Sequence, residues 1–292
     1  MDGIRMLFGC HVSIREGYLG AAKAARARNA SAFQYFPKNP RSLSVKDFNR
    51  EDAALCRAFC KEHEIFSIAH TPYPTSLTPH PEKQELTINS LLNDLEIASA
   101  CGSAGVVVHF GNPISNKDSL AGYQLMIEIL NQILSCREDH CLILLENTAG
   151  HPGSMGTTIE ELVQVRSLCE HRDQIGFCLD TCHAFDSNLW NGENLNEFLK
   201  KGEELGYFDH LKAIHFNNSK YPAGSGKDRH ANIFNKGHIT EKQFDQLIKA
   251  EPLRGLPLIL ETPSGEGIEH HEEIELLIKR WGNSHDKKPA VL

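Results

Sequence analysis

A closed (β/α)8 barrel is the fold class that the sequence predicts, as one α/β domain. Short apolar or β-branched runs alternate with longer amphipathic stretches along the whole chain of 292 residues, the pattern of βαβ units on a parallel sheet. Runs such as Val106-Val107-Val108 and Leu142-Ile143-Leu144-Leu145 are apolar without interruption, as strands buried on both faces must be. Eight such units in a chain of this length fit a closed barrel. An open doubly wound sheet is the alternative, but no Gly-rich phosphate loop follows the first run. No linker or composition break divides residues 1–292, so a single domain is expected, with a core over about 5–282 and a flexible tail over 283–292.

The strands are expected at Leu7–Val12, Ala32–Phe36, Phe66–His70, Gly105–Phe110, Cys141–Asn147, Ile175–Asp180, Leu211–Phe216 and Leu256–Glu261. Helices are expected at Gly17–Asn29, Asp47–His63, Pro81–Cys101, Leu120–Cys136, Thr158–His171, Asn194–Leu205, Gln243–Ala250 and Ile268–Trp281, where apolar residues recur at helical spacing. The formal net charge is −8, from 30 Lys+Arg against 38 Asp+Glu, which argues against indiscriminate nucleic-acid binding. Nine cysteines and no signal-peptide pattern point to a reducing compartment and a cytoplasmic location, with most cysteines as buried free thiols. No apolar run is long enough to cross a bilayer, so no membrane partner is expected. The unusual count is histidine, 16 residues, and imidazole is the commonest metal ligand.

Barrels deliver functional groups at the C-terminal ends of their strands. Six consecutive strands here end in or next to a metal-capable residue: His70, His109, Glu146, Asp180, His215 and Glu261. His183 follows Asp180 by three residues, and Asp228 and His230 stand two apart, on one side of an extended segment. A lone strand-end histidine is usually a rim residue, and a lone carboxylate often caps the next helix. Those readings work one residue at a time and do not explain five imidazoles and four carboxylates on one rim. A mixed N/O set of that size suits two or three ions, zinc first, with manganese or iron as alternatives at one site.

The stretches Gly9-Cys10-His11-Val12-Ser13, Leu145-Glu146-Asn147-Thr148-Ala149-Gly150, Leu179-Asp180-Thr181-Cys182-His183-Ala184, His215-Phe216-Asn217-Asn218-Ser219-Lys220, Gly226-Lys227-Asp228-Arg229-His230 and Leu260-Glu261-Thr262-Pro263 match a known set in residue and order. Through them the chain resembles the endonuclease IV family of zinc-dependent apurinic/apyrimidinic (AP) endonucleases over nearly its whole length. The resemblance implies three Zn2+ per chain: one on His70 and His109, a second on Asp180, His215 and Glu261 with Glu146 bridging the two, and a third on His183, Asp228 and His230. It implies hydrolysis of the phosphodiester 5′ to an abasic site in double-stranded DNA, leaving a 3′-hydroxyl, by a metal-bridging hydroxide. Glu261 and Glu146 would be the catalytic carboxylates, with Glu261 orienting or deprotonating the water. Arg41, in Pro37-Lys38-Asn39-Pro40-Arg41, and Tyr73 would enter the duplex, Lys38 of the same loop would bind DNA, and Gly226, Lys227 and Arg229 would contact phosphates. The resemblance also implies a monomer.

Three departures from the family pattern stand out. Pro74 replaces a larger apolar wedge, and Phe110 replaces a proline after His109. The stretch Ile233-Phe234-Asn235-Lys236-Gly237-His238-Ile239 is bulkier than usual and affects expected DNA recognition. The competing readings are a single-metal sugar isomerase or epimerase on the same barrel, in which His183, Asp228 and His230 have no task, and a catalytically silent binder of damaged DNA.

Overall fold

The computed structural model describes residues 4–115, 117–137, 139–151, 153–234, 236–265 and 267–282. The expected tail over 283–292, and Asn235 of the altered loop, lie outside the described residues. Eight parallel strands close into a barrel: β1 (Leu7–His11), β2 (Ala32–Tyr35), β3 (Phe66–His70), β4 (Gly105–His109), β5 (Leu142–Glu146), β6 (Ile175–Asp180), β7 (Leu211–His215) and, after a two-residue antiparallel pair β8 (Asn218–Ser219) and β9 (His230–Ala231), β10 (Pro257–Leu260). Strand β10 closes the ring by pairing with both β7 and β1. The expected strands are each present and shorter by at most two residues, because the terminal residues already turn into the loops.

The helices are α1 (Gly17–Ala27), α2 (Arg50–Glu62), α3 (Gln84–Cys101), α4 (Ala121–Leu134), α5 (Ile159–Leu168), α6 (Thr181–Asp186), α7 (Leu195–Glu204), α8 (Glu241–Lys249) and α9 (His270–Trp281). Side-chain caps set several starts: Asn49 accepts from the Asp52 N–H, and Thr158 and Thr240 form capping boxes with Glu161 and Gln243. The Thr240 box places the start of α8 before Gln243, where the apolar pattern begins. Pro81–Lys83, expected as helix, is a 3-10 turn leading into α3. The short α6 is absent from the sequence expectation, since it carries no amphipathic repeat.

Two apolar layers hold the barrel. The larger lies between sheet and helices. The smaller plugs the lumen with Ala32, Ile68, Val107, Leu144, Cys178, Ala213 and Ile259, one from each of seven strands. The eighth strand contributes Gly9, whose position admits no side chain: a Cβ there would lie 2.0 Å from the Ala32 carbonyl oxygen. Side chains two residues apart on a strand share a face. The residues two beyond this plug are therefore the next layer up the lumen: His11, Gln34, His70, His109, Glu146, Asp180, His215 and Glu261. The dry plug is the floor on which the polar rim stands.

Candidate metal centre

Ligand-capable atoms on the rim gather into groups whose members lie within 4.8 Å of one another: His70 with His109 and Glu146; Glu146 with Asp180, His215 and Glu261; and His183 with Asp228 and His230. The sequence-expected set is thus brought together, and Glu146 joins two of the groups. Its Oε2 faces His109 Nε2 at 3.2 Å and His70 Nε2 at 3.6 Å, while Oε1 faces His215 Nδ1 at 3.0 Å.

The imidazoles are oriented by carbonyl groups. His70 Nδ1 donates to the Thr71 carbonyl at 2.8 Å, His183 Nδ1 to that of Asn147 at 2.9 Å, and His230 Nδ1 to that of Glu261 at 3.2 Å. His215 is turned over, its Nε2 donating to Gln34 Oε1 at 2.7 Å. A carbonyl can only accept, so each ring spends its N–H there and turns its other nitrogen into the lumen. Of the lumen atoms, Glu146 Oε2, His183 Nε2 and His230 Nε2 are buried without a hydrogen-bond partner. Imidazole lone pairs facing carboxylate oxygens need a shared cation, and these donors fit divalent metal.

Asp180 ends β6 and does two jobs. Its Oδ1 accepts the His183 N–H at 2.8 Å, capping α6 and bringing His183 back to the rim. Its Oδ2 accepts from Asn217 Nδ2 at 2.8 Å and faces His230 Nε2 at 3.5 Å. One carboxylate thus caps α6 and still turns an oxygen toward the ligand-capable atoms of the rim.

Electrostatics bind the cluster. Burial alone would raise the Glu146 carboxyl, but the imidazoles of His215 and His109 outweigh it and hold it well below the usual carboxylate range. Glu261 behaves likewise: burial opposes, His215 prevails, and its pKa falls to about 2. Burial lowers His183 and His215, yet Asp180 beside His183, and Cys178 and Glu261 beside His215, carry both well above the ordinary imidazole value.

Sequence reasoning missed the amides that tune this layer. Gln34 Nε2 donates to Glu261 Oε1 at 2.7 Å, Asn217 Oδ1 accepts the Glu261 N–H at 2.8 Å, and Asn147 exchanges two hydrogen bonds with the Asp180 backbone. Gln34 had a signal, since it stands two residues beyond the lumen residue Ala32. His11 and His270 were missed as lining residues of the cleft, which has a volume of about 340 Å3. Cys182 reaches ligand distance of Asp180 and His230, but burial and the adjacent carboxylates of Asp180 and Asp186 raise its thiol far up, and it donates to Asp186 Oδ2 at 3.1 Å. All nine cysteines are free, eight of them buried.

The expected DNA contacts divide. Tyr73 stands 70% exposed at the mouth of the cleft, edge-on to Phe36 at 5.2 Å, and its N–H donates to the Pro40 carbonyl at 2.8 Å. That bond ties it to the residue before Arg41, which is itself exposed. Lys227 and Arg229 are exposed beside the third ligand group, Lys227 over the Tyr221 ring. Two expectations are corrected. Lys38 is buried, its Nζ 3.1 Å from Asp94 Oδ1 and donating to the Ser90 carbonyl at 2.7 Å, so it has no ammonium to offer a phosphate. Gly226 spends its N–H on the Asp186 carbonyl at 2.9 Å, in a left-handed conformation at φ 65°, and is no phosphate donor.

The departures are placed too. Pro74 is exposed beside Tyr73. Phe110 is buried in the outer layer against Tyr123, away from the His109 ring nitrogens. Ile233 and Ile239 of the altered loop are buried, and Phe234 stacks on Trp281 at 5.5 Å, so the added bulk packs against α9.

Comparison with known proteins agrees in fold. The family of AP endonucleases, type 2, described as xylose isomerase-like TIM barrels, matches residues 22–281. A relative from Symbiobacterium thermophilum, named "Probable endonuclease 4", is 42% identical over 270 residues, covering 92% of this chain and 97% of its own. The crystal structure of endonuclease IV from Thermus thermophilus superposes with a TM-score of 0.80 at 28% identity, covering 94% of this chain and 97% of that one. A D-tagatose 3-epimerase-like protein shares the fold, with a TM-score of 0.64 at 20% identity and coverage of 94% and 96%.

Proposed function

The chain belongs to the endonuclease IV family, and from that premise we propose that it is a zinc-dependent AP endonuclease, cutting double-stranded DNA 5′ to abasic sites and leaving a 3′-hydroxyl. The observation that carries this reading is the convergence of nine ligand-capable residues into three groups joined through Glu146 and Asp180. The third group, His183 with Asp228 and His230, separates it from the one-metal chemistry of sugar isomerases on this barrel.

Metal ions in these groups would acidify water and neutralise charge on the phosphate and the leaving 3′-oxygen. The protein's own part is placement. Gln34 and Asn217 hold the two Glu261 oxygens, at 2.7 and 3.3 Å, so the carboxylate presents its charge in one orientation to the attacking water. Glu146 divides its two oxygens between neighbouring groups, fixing their separation. The Thr71, Asn147 and Glu261 carbonyls keep His70, His183 and His230 in the ligating tautomer. The cleft opens between Tyr73 and Asp228, and a nucleotide without its base enters it at the least unstacking cost. Tyr73 and Arg41 fill the space left in the duplex, and Lys227 and Arg229 meet phosphates. No helix among the described residues is long and apolar enough to cross a membrane.

The test is incision of a labelled duplex carrying one abasic site. Zinc-loaded protein nicks it and leaves the intact duplex whole; chelation stops the reaction and Zn2+ restores it. A fully loaded protein that binds the lesion without nicking would establish the silent binder instead. Tyr73→Ala tests the wedge: affinity for the abasic duplex drops by about 1–3 kcal/mol in a binding titration, as for loss of one aromatic stacking contact. Unchanged affinity would take Tyr73 out of the interface.

A further inference from the structure

Glu273, on α9, belongs to no ligand group, yet it is completely buried just behind the rim. Its Oε1 accepts the Ile233 N–H at 2.7 Å, and its Oε2 accepts from Asn232 Nδ2 at 2.9 Å and from Thr262 Oγ1 at 2.6 Å. These donors come from two separate segments. Asn232 and Ile233 follow His230, and Thr262 follows Glu261. The same segments also touch directly, through Asn232 Nδ2 to the Pro263 carbonyl at 3.0 Å and His230 Nδ1 to the Glu261 carbonyl at 3.2 Å. One carboxylate thus clamps the backbone behind His230 to the backbone behind Glu261. Only an anion accepts all three donors at once; an apolar side chain would leave an N–H, a hydroxyl and an amide unpaired in a dry site.

The two ligands do not depend on this clamp equally. Glu261 is also held by Gln34 and Asn217, through both side-chain oxygens and its own N–H. His230 sits on a strand two residues long, paired among the described residues only with Asn218–Ser219, and its group partner Asp228 lies in an exposed irregular segment. Its position relative to the rest of the rim is set from behind.

We propose that Glu273 is a positioning residue for the third ligand group, fixing His230 against Glu261 so that a metal held by His183, Asp228 and His230 stays in register with the other two groups. This rests on the metal-dependent reading above. The test titrates metal-free full-length wild type and Glu273→Gln with Zn2+ against a chromophoric chelator, and follows the visible absorption of the Co2+-substituted proteins. In Glu273→Gln one equivalent weakens by about 10–100-fold, as for loss of an outer hydrogen-bond partner of a ligand, while the remaining equivalents keep wild-type affinity and part of the Co2+ spectrum is lost. Equal affinities for every equivalent overturn the proposal, and so does uniform weakening, which marks Glu273 as general scaffold. If Glu273→Gln does not fold, Thr262→Val removes one donor and is read the same way: a smaller loss confined to one equivalent supports the clamp, and no loss overturns it. Wild type that binds no metal defeats the metal-dependent reading and this proposal with it; wild-type binding matched by both variants defeats the proposal alone.

Discussion

Glu261→Gln is expected to slow incision of an abasic duplex by about 10²–10³-fold or more, the scale on which removal of one group stabilising transition-state charge is felt. Glu261 is a carboxylate at any working pH, since the His215 imidazole outweighs burial and holds its pKa near 2. The amide removes that charge. It also turns an NH2 toward the amide donors of Gln34 and Asn217 or toward His215 Nδ1, 3.2 Å away, so one contact becomes donor against donor or loses its anion. The residues assigned to DNA, Arg41, Tyr73, Lys227 and Arg229, are untouched, so affinity for the lesion is retained. Single-turnover nicking and a gel-shift titration on the same duplex separate the two quantities. A wild-type rate in the variant would remove Glu261 from the chemistry.

Lys38→Met is expected to destabilise the fold by about 3–5 kcal/mol, the usual cost of stranding one half of a buried ion pair. Asp94 is completely buried on α3 and takes Lys38 as its cationic partner. Burial already raises its pKa to about 7, against the lowering effect of Lys38. Without the ammonium it rises further. A carboxyl with a folded-state pKa above its unfolded value of 3.8 imposes no penalty below that value, an increasing one as pH climbs from there to the folded pKa, and a constant one above it. The variant's deficit should therefore be larger at pH 8 than at pH 5, in denaturant melts run at both. A phosphate-contact role would give the opposite pattern: normal stability and a salt dependence of DNA binding reduced by about one counterion.

The convergence of the candidate ligands was legible because a strand repeats every two residues. Once Val107 and Leu144 are read as lumen residues, His109 and Glu146 must stand in the layer above them, and the same step leads from Ile259 to Glu261. Gln34 lies on that same step from Ala32, but an amide carries no charge and drew no notice. Lys38 was misread for a different reason. Its partner Asp94 sits mid-helix, far along the chain, and nothing local distinguishes a loop lysine that folds inward from one that faces solvent. The same holds for Gly226, whose N–H is claimed by a carbonyl of α6, a helix too short to leave a periodic trace. The bulk of the 233–239 stretch pointed to altered DNA recognition, and that Ile233 and Ile239 within it are buried is a tertiary fact that no local pattern carries.

Closure of the ring by β10 has a consequence for the order of events in making this enzyme. Glu261 follows the strand that seals the barrel between β7 and β1, and Glu146 and Asp180 precede it in the chain by whole βα units. During synthesis the earlier candidate ligands exist before their partners do, and a growing polypeptide has no assembled centre in which a metal could be held. On the metal-dependent reading, activity therefore requires the last strand to dock, since Glu261 follows it. A chain cut short before that strand is inert rather than weakly active.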